Sequence, residues 1–287
     1  MVFVARIADY LRLIKFSHSV FALPFAFTAA IIAAGGIPAP DEIFWITVAM
    51  VGGRTGAMGM NRIADRKYDA MNPRTEGREI PRGVIKASEA LLFTAAAFAF
   101  LLLAAYKLNP LCFKLAPVFI FILFAYSYTK RFTWLCHIVL GLALALAPLG
   151  AWIAIRGTFD PEILLLCFAV MFWVAGFDTL YGLQDLDFDR KQGLYSIPSV
   201  FGVHTSLWIS RLFHVITVVL LLGLIPIFQL SGLYLVGVMI AAGLMLYEHM
   251  LVRPDDLSKL DMAFFNMNGY ISIIVFVCTL FNYLLSA

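Results

Sequence analysis

Two groups of acidic residues in this sequence are spaced as they would be on one face of a helix. In the first group, Asn61, Asp65 and Asp69 follow one another at intervals of four residues. On an α-helix this interval stacks the three side chains in successive turns. Neighbouring like charges repel each other, so a cation is needed to neutralise them. Carboxylate and carboxamide oxygens suit Mg²⁺, which typically binds one or two carboxylates together with substrate phosphates.

The second group consists of Asp178, Tyr181, Asp185 and Asp189, at offsets of 0, 3, 7 and 11 residues. This spacing also predicts one helical face, from which Asp187 points away. Asp178 lies within the apolar run AVMFWVAGFDTLYGL. Because an ionisable group at membrane depth is costly, we predict that Asp178 is a functional residue.

Basic residues accompany both groups. Arg78 lies in the segment NPRTEGREIPRG, and Lys130 and Arg131 lie in YSYTKRFT. Arg and Lys are the usual partners of phosphate, although membrane topology alone also places basic residues at helix ends. Arg54 is different, because it lies in an apolar stretch about two helical turns before Asn61. An Arg buried in a membrane needs an anion, and a substrate carboxylate would serve.

Lys15, together with His18, is a further candidate for binding an anion at the start of the first apolar segment. The alternative is a Lys that extends its charged end to the membrane surface. The other histidines are predicted to be packing or interface residues: His137, His204, His214 and His249. The four cysteines are scattered without a CxxC pair, which indicates neither a disulfide framework nor a metal site.

The composition indicates a protein that crosses a membrane several times. Hydrophobic residues make up 62% of the 287 residues and charged residues 14%, with a mean hydropathy of +0.89. Soluble domains have about 45–50% apolar and about 25% charged residues. The net charge of +3 is too small to indicate a nucleic-acid partner. The lipid bilayer is therefore the predicted environment.

A membrane span needs about 20 mostly apolar residues, and lipid-exposed backbone must form helices. Nine segments meet this requirement: 17–35, 42–62, 88–107, 110–128, 134–155, 162–182, 206–227, 231–250 and 264–285. Of the 21 Lys and Arg residues, 16 fall on one side of these spans and three on the other. The positive-inside rule then places the N-terminus in the cytoplasm. The sequence begins without a signal-peptide or transit-peptide pattern, which favours the plasma (inner) membrane of a prokaryote.

The polar segments resemble motifs of the UbiA superfamily of intramembrane prenyltransferases. NRIADRKYD (61–69) resembles its N-x-x-x-D-x-x-x-D motif, and DTLYGLQDLDFD (178–189) resembles its second aspartate motif. The segments at 72–83 and 126–133 resemble two basic segments of the family, with Glu79 standing where many members have Pro. The order and spacing match along nearly the whole chain. Within the superfamily, the sequence is most similar to 4-hydroxybenzoate polyprenyltransferases and to a branch that prenylates a dihydroxynaphthoate in a menaquinone route.

The resemblance implies an all-α membrane protein, with a single domain over 1–287 and nine transmembrane helices around a central cavity open to the cytoplasmic side. It also implies transfer of a polyprenyl group from a polyprenyl diphosphate to an aromatic acid, in ubiquinone or menaquinone biosynthesis. Two Mg²⁺ ions would join the diphosphate to five residues: Asn61, Asp65, Asp69, Asp185 and Asp189. Arg78 and Lys130 would assist. Asp178 would orient the acceptor or accept its phenolic proton, Tyr181 would line the site, and Arg54 would bind the acceptor's carboxylate.

Three other interpretations remain open. The acceptor could be a dihydroxynaphthoate, a porphyrin or a sugar phosphate. The carboxylates could instead couple cations in a secondary transporter, although transporters usually place such groups near the membrane midplane. A lipid-binding scaffold without catalysis is the third possibility.

Overall fold

A computed structural model describes residues 2–15, 19–254, 256–257, 260–262 and 266–285. The described part contains no β-strand. Its α-helices are α1 Val2–Leu13, α2 Ser19–Ala34, α3 Pro40–Met71, α4 Ala87–Leu108, α5 Pro110–Ala125, α6 Cys136–Arg156, α7 Leu164–Gly182, α8 Leu186–Gln192, α9 Ile197–Phe228, α10 Gly232–Leu251, α11 Leu260–Met262 and α12 Asn268–Leu284. Three short 3-10 helices are Tyr126–Arg131, Pro161–Ile163 and Leu183–Asp185.

The chain divides into two compact units. Unit 1 comprises Met1–Ser19 and Ile43–Tyr128, and unit 2 comprises Val20–Glu42 and Thr129–Ala287. The single domain over 1–287 stays a prediction.

Each predicted membrane segment overlaps a helix in the described part of the chain. Six helical segments are long and apolar enough to cross a membrane: Ala87–Leu108, Pro110–Arg131, Cys136–Arg156, Pro161–Gln192, Ile197–Phe228 and Gly232–Leu251. The apolar stretches in α2 and α12 are shorter, and α3 carries many charged residues in its second half. The chain is therefore a multi-pass membrane protein. That it crosses the membrane nine times stays a prediction.

In unit 1, α3 extends beyond its predicted end at residue 62 as far as Met71. The first acidic group therefore lies on a continuous helix, as its spacing predicted. Close packing on α4 fixes this helix, because a Cβ atom on Gly52 would lie 2.8 Å from the carbonyl oxygen of Ala97. Leu13 at the end of α1 packs with Ile85 and Ala90 in the same unit.

In unit 2, α7 packs against α6 and α9. The helix contacts are close, because a Cβ atom on Gly141 of α6 would clash with the carbonyl oxygen of Met171 on α7. Beyond Gly182 the α-helix gives way to the 3-10 turn Leu183–Asp185 before α8 begins. The prediction of one unbroken helical face from Asp178 to Asp189 is therefore wrong. A 3-10 helix turns about 120° per residue instead of about 100°, so three residues rotate the side chains of α8 by roughly 60° relative to those of α7.

The segment between the predicted spans 162–182 and 206–227 is largely helical, because α8 lies within it and α9 begins at Ile197 and not at residue 206. Ser196 caps this helix, with its Oγ accepting a hydrogen bond of 3.2 Å from the Ser199 amide. Pro198 in the first turn has no amide hydrogen to leave unpaired. At Gly202 the φ angle of +77° interrupts the helix, and glycine adopts this angle without steric cost.

Buried and half-buried polar side chains connect four helices of unit 2, α7, α9, α10 and α12. Trp173 Nε1 on α7 donates to Asn268 Oδ1 on α12 at 2.8 Å. Asn268 Nδ2 in turn donates to Glu248 Oε1 on α10 at 3.0 Å. His214 Nδ1 lies 2.9 Å from His249 Nε2, so these two histidines form a polar contact with each other in addition to packing.

Candidate active site

The first acidic group lies on the C-terminal half of α3. Asn61 Nδ2 donates to Asp65 Oδ2 at 3.1 Å, which orients both side chains along one face. Asp69, two turns beyond Asn61, is only 5% exposed. Its Oδ1 accepts a hydrogen bond of 2.6 Å from Arg78 Nη1. A guanidinium group thus orients this buried carboxyl group.

A series of turns brings Arg78 back to Asp69. The Arg74 amide donates to Asn72 Oδ1 at 2.9 Å, and Thr75 Oγ1 donates to the Asp69 carbonyl oxygen at 3.1 Å. The Arg78 amide donates to the Thr75 carbonyl oxygen at 3.0 Å. Asn, Pro and Thr are residues that favour such turns, so NPRT ends α3 and positions the guanidinium.

The donor set of this group fits a hard cation. All of its ligand atoms are oxygens, and Asp69 Oδ2 is a buried atom without a hydrogen-bond partner among the described residues. Within the described part of the chain, no three His, Cys, Asp or Glu side chains are arranged to hold a metal by themselves. Mg²⁺ does not need such a cage, because it usually binds one or two carboxylates and completes its shell with water and substrate phosphate.

The second acidic group surrounds α8. Asp189 is 2% exposed, and its Oδ1 lies 3.2 Å from Lys130 Nζ. The chain around Lys130 is fixed by a hydrogen bond of 2.7 Å from the Tyr195 amide to the Lys130 carbonyl oxygen. Asp185 is half-buried where α8 begins, whereas Asp187 is exposed. Unit 2 therefore repeats the combination seen in unit 1, a buried aspartate beside a basic side chain.

Asp178 has a partner that the sequence did not indicate. Its Oδ2 lies 2.7 Å from His137 Nδ1 near the start of α6. His137 is 4% exposed. The prediction that this histidine only packs is wrong. A single histidine has no spacing pattern, so only the contact between α6 and α7 reveals its role.

The remaining candidates lie in three places. Arg54 is half-buried on α3 and forms no ion pair with a described carboxylate. Tyr181 is half-buried near the end of α7, and Arg131 is half-buried at the end of the 3-10 helix. Lys15 follows α1 with a φ angle of +44°. Its predicted neighbour His18 lies outside the described residues.

Arg62, one of the 16 basic residues on the predicted cytoplasmic side, is only 4% exposed. Its Nε donates to the Leu13 carbonyl oxygen at 3.1 Å and so connects α3 to the end of α1. The neighbouring Arg66 is exposed, in agreement with a residue at a membrane boundary.

Replacing Arg78 with Ala is expected to lower the free energy of unfolding by about 3 kcal/mol, because Asp69 would keep a buried charge without its partner. The lower part of the range for buried pairs applies, since the Arg78 side chain is 20% exposed. Unfolding of the purified protein in mixed detergent micelles, titrated with SDS, would measure the change. Exposed Arg82 offers a matched control, and equal effects of Arg78→Ala and Arg82→Ala would contradict the structural role of the ion pair.

The apolar helices define a multi-pass membrane protein, and its two acidic groups each combine carboxylates with a basic side chain. The model of the UbiA prenyltransferase family matches residues 22–270, and this chain belongs to that family. It is therefore a prenyltransferase.

Several known proteins are similar along most of the chain. The 4-hydroxybenzoate octaprenyltransferase of Vibrio parahaemolyticus is 33% identical over 248 residues, covering 86% of each protein. That of Aliivibrio fischeri strain ES114 is 32% identical over 250 residues, covering 87% of each. The apo structure of a UbiA homolog from Aeropyrum pernix K1 matches with a TM-score of 0.84 and 31% identity, over 91% of this chain and 96% of that one. A UbiA homolog from Archaeoglobus fulgidus, bound to DMAPP and Mg²⁺, shares the fold with a TM-score of 0.62 and 20% identity, over 93% and 99% of the two chains.

Proposed function

We propose that this prenyltransferase moves a polyprenyl group from a polyprenyl diphosphate to the ring of an aromatic acid similar to 4-hydroxybenzoate, as a step of quinone biosynthesis. The proposal rests mainly on one observation: in each acidic group a buried aspartate is paired with a basic side chain. These pairs are Asp69 with Arg78 and Asp189 with Lys130. A metal-bound diphosphate needs both kinds of group, carboxylates for the metal and cations for the phosphate oxygens. The names of the relatives support the choice of acceptor.

The residues proposed to hold Mg²⁺ are Asn61, Asp65, Asp69, Asp185 and Asp189. When bound, Mg²⁺ would stabilise the negative charge of the departing diphosphate. That both acidic groups serve one diphosphate, with two ions, is a prediction from the family resemblance. Arg78 and Lys130 would bind phosphate oxygens, and Lys15 and Arg131 would add positive charge.

The acceptor would be bound and activated by other residues. Arg54, without a carboxylate partner among the described residues, would bind the acceptor's carboxylate. Asp178 would accept the proton of the phenolic hydroxyl, with Tyr181 beside it on α7. The apolar helices would exclude water, which would otherwise hydrolyse the allylic cation.

The distribution of Lys and Arg supports a cytoplasmic N-terminus, and both acidic groups would then lie on the cytoplasmic side. We assign the protein to the plasma membrane of a prokaryote. We also propose that the helices surround a central cavity that opens to the cytoplasmic side.

A competition assay tests the acceptor. Protein reconstituted in lipid nanodiscs would be given a labelled prenyl diphosphate, Mg²⁺, and equal amounts of 4-hydroxybenzoate, a dihydroxynaphthoate and 4-hydroxybenzamide. Mass spectrometry should find mainly prenylated 4-hydroxybenzoate. A predominance of naphthoate product would move the assignment to the menaquinone route, and the absence of any prenylated aromatic acid would overturn it.

Replacing Arg54 with Ala is expected to raise the KM for 4-hydroxybenzoate by about tenfold to a hundredfold, because a charge-assisted contact contributes about 1.5–3 kcal/mol. The KM for the prenyl diphosphate should change little. Steady-state kinetics with the acid and with its uncharged amide would check the cause, since only the acid should be affected. Arg66→Ala on the exposed side of α3 is the matched control. Equal changes for acid and amide would contradict binding of the carboxylate.

A further inference from the structure

The pair of Asp178 and His137 has a geometry that a packing histidine would not need. His137 Nδ1 lies 2.7 Å from Asp178 Oδ2, within unit 2. The Asp178 side chain is 23% exposed and the His137 side chain 5%. The carboxylate thus reaches a surface that a ligand can contact, while the imidazole stays behind it.

Hydrogen-bonding chemistry assigns the direction of this contact. An ionised carboxylate can only accept hydrogen bonds, so His137 Nδ1 must carry the hydrogen. Oδ2 is then occupied by the histidine. The other carboxylate oxygen, Oδ1, remains for the acceptor. An aspartate held at one oxygen by an imidazole has its orientation fixed before the substrate arrives.

Gly182 provides a second, independent observation. It lies one helical turn after Asp178, and its φ and ψ angles of −62° and −18° are ordinary for a helix. Backbone conformation therefore does not require glycine there. The limited space around residue 182 requires glycine instead, because a Cβ atom there would lie 3.0 Å from His137 Cε1. The imidazole occupies the volume that a larger residue would fill.

We infer that His137 is a positioning residue for Asp178, which it holds in the orientation that accepts the proton of the acceptor's hydroxyl group. The inference rests on the proposed function. His137 itself touches neither substrate, and its effect passes through Asp178. The substitution His137→Leu should therefore lower kcat while leaving the KM for the prenyl diphosphate unchanged.

Kinetics of four variants test this positioning role. His137→Leu is expected to lower kcat by about tenfold to a hundredfold, part of the effect of removing a general base. His137→Asn keeps an N–H donor close to the position of Nδ1 and should restore most of the rate. In the Asp178→Asn background, His137→Leu should cause no further loss, since residues that act as one unit are not additive. Exposed His204 on α9 is the matched control, and His204→Leu should leave kcat unchanged.

Gly182→Ala provides a test that does not depend on removing the histidine. Ala is a better helix former than Gly, so this variant should remain folded. Its methyl group would displace the His137 ring by a few tenths of an ångström, and we expect kcat to fall about threefold to tenfold. At the exposed Gly243 on α10, a Cβ atom would meet no other atom within 4 Å, so Gly243→Ala should have no effect.

The outcomes separate the inference from the function on which it rests. If the wild-type protein forms no prenylated product, the proposed function fails. If the wild type is active and His137→Leu keeps more than half of its kcat, the positioning role is overturned. Additive losses in the double variant, or no rescue by His137→Asn, would also overturn it. If His137→Leu does not fold, the His137→Asn and Gly182→Ala variants decide the question.

Discussion

Replacing Asp185 with Asn is expected to reduce prenyl transfer by about 10³-fold, equivalent to about 4 kcal/mol in activation free energy. The change removes one negative charge from the start of α8 and keeps the size of the side chain. If the carboxylate binds Mg²⁺, its loss weakens the neutralisation of the diphosphate in the transition state. Product formed from a labelled prenyl diphosphate and 4-hydroxybenzoate would be quantified by mass spectrometry.

Asp187 provides a matched control for this experiment, because it lies only two residues beyond Asp185, in α8, and its side chain is exposed. Asp187→Asn should keep nearly the full rate. Both variants should show the unfolding behaviour of the wild type, since surface and half-buried substitutions of equal size rarely change the fold. Equal loss in both variants, or full activity of Asp185→Asn, would remove the second acidic group from the mechanism.

Replacing Asp65 with Asn should have an effect of similar size, again about 10³-fold. In the structure Asp65 Oδ2 accepts a hydrogen bond from Asn61, so the carboxylate already lies on the face that the motif defines. An amide at residue 65 loses the charge and cannot replace it as a metal ligand of equal strength. The rate should recover only partly at high Mg²⁺, and a titration with Mg²⁺ would show whether the metal dependence has shifted.

The exposed Asp41 at the beginning of the same helix is the control for Asp65. Asp41→Asn changes the charge of α3 equally but lies about 36 Å from residue 65 along the helix axis, at about 1.5 Å per residue. It should leave both the rate and the Mg²⁺ dependence unchanged. A loss of activity in Asp65→Asn with an unaltered Mg²⁺ dependence would contradict the assignment of Asp65 as a metal ligand.

The helices and the first acidic group could be predicted because their signals are local. An apolar run and an interval of four residues depend only on neighbouring residues, and α3 carries Asn61, Asp65 and Asp69 as expected. The second group was predicted by the same rule, which failed at Leu183–Asp185. Offsets of 3, 7 and 11 residues do not distinguish a continuous α-helix from one interrupted by a tighter 3-10 turn.

The contacts between distant residues could not be predicted from spacing. His137 and Asp178 are 41 residues apart, and Arg62 and Leu13 are 49 residues apart. A lone histidine or a single arginine near a membrane boundary has many equivalent explanations in the sequence. Only the packing of α6 on α7, and of α1 near α3, decides between them. The pairing of Trp173 with Asn268 had no sequence signal for the same reason.

The central claim is that the acidic groups support divalent-cation-dependent transfer of a prenyl group to an aromatic acid. A single-turnover measurement tests it most directly. Wild-type protein in nanodiscs would be mixed with a labelled prenyl diphosphate and 4-hydroxybenzoate, first with EDTA and then with excess Mg²⁺. We predict no prenylated product in EDTA and rapid formation of the product after Mg²⁺ is added. Prenylated product at the same rate in EDTA, or none with Mg²⁺ and any aromatic acid, would contradict the account.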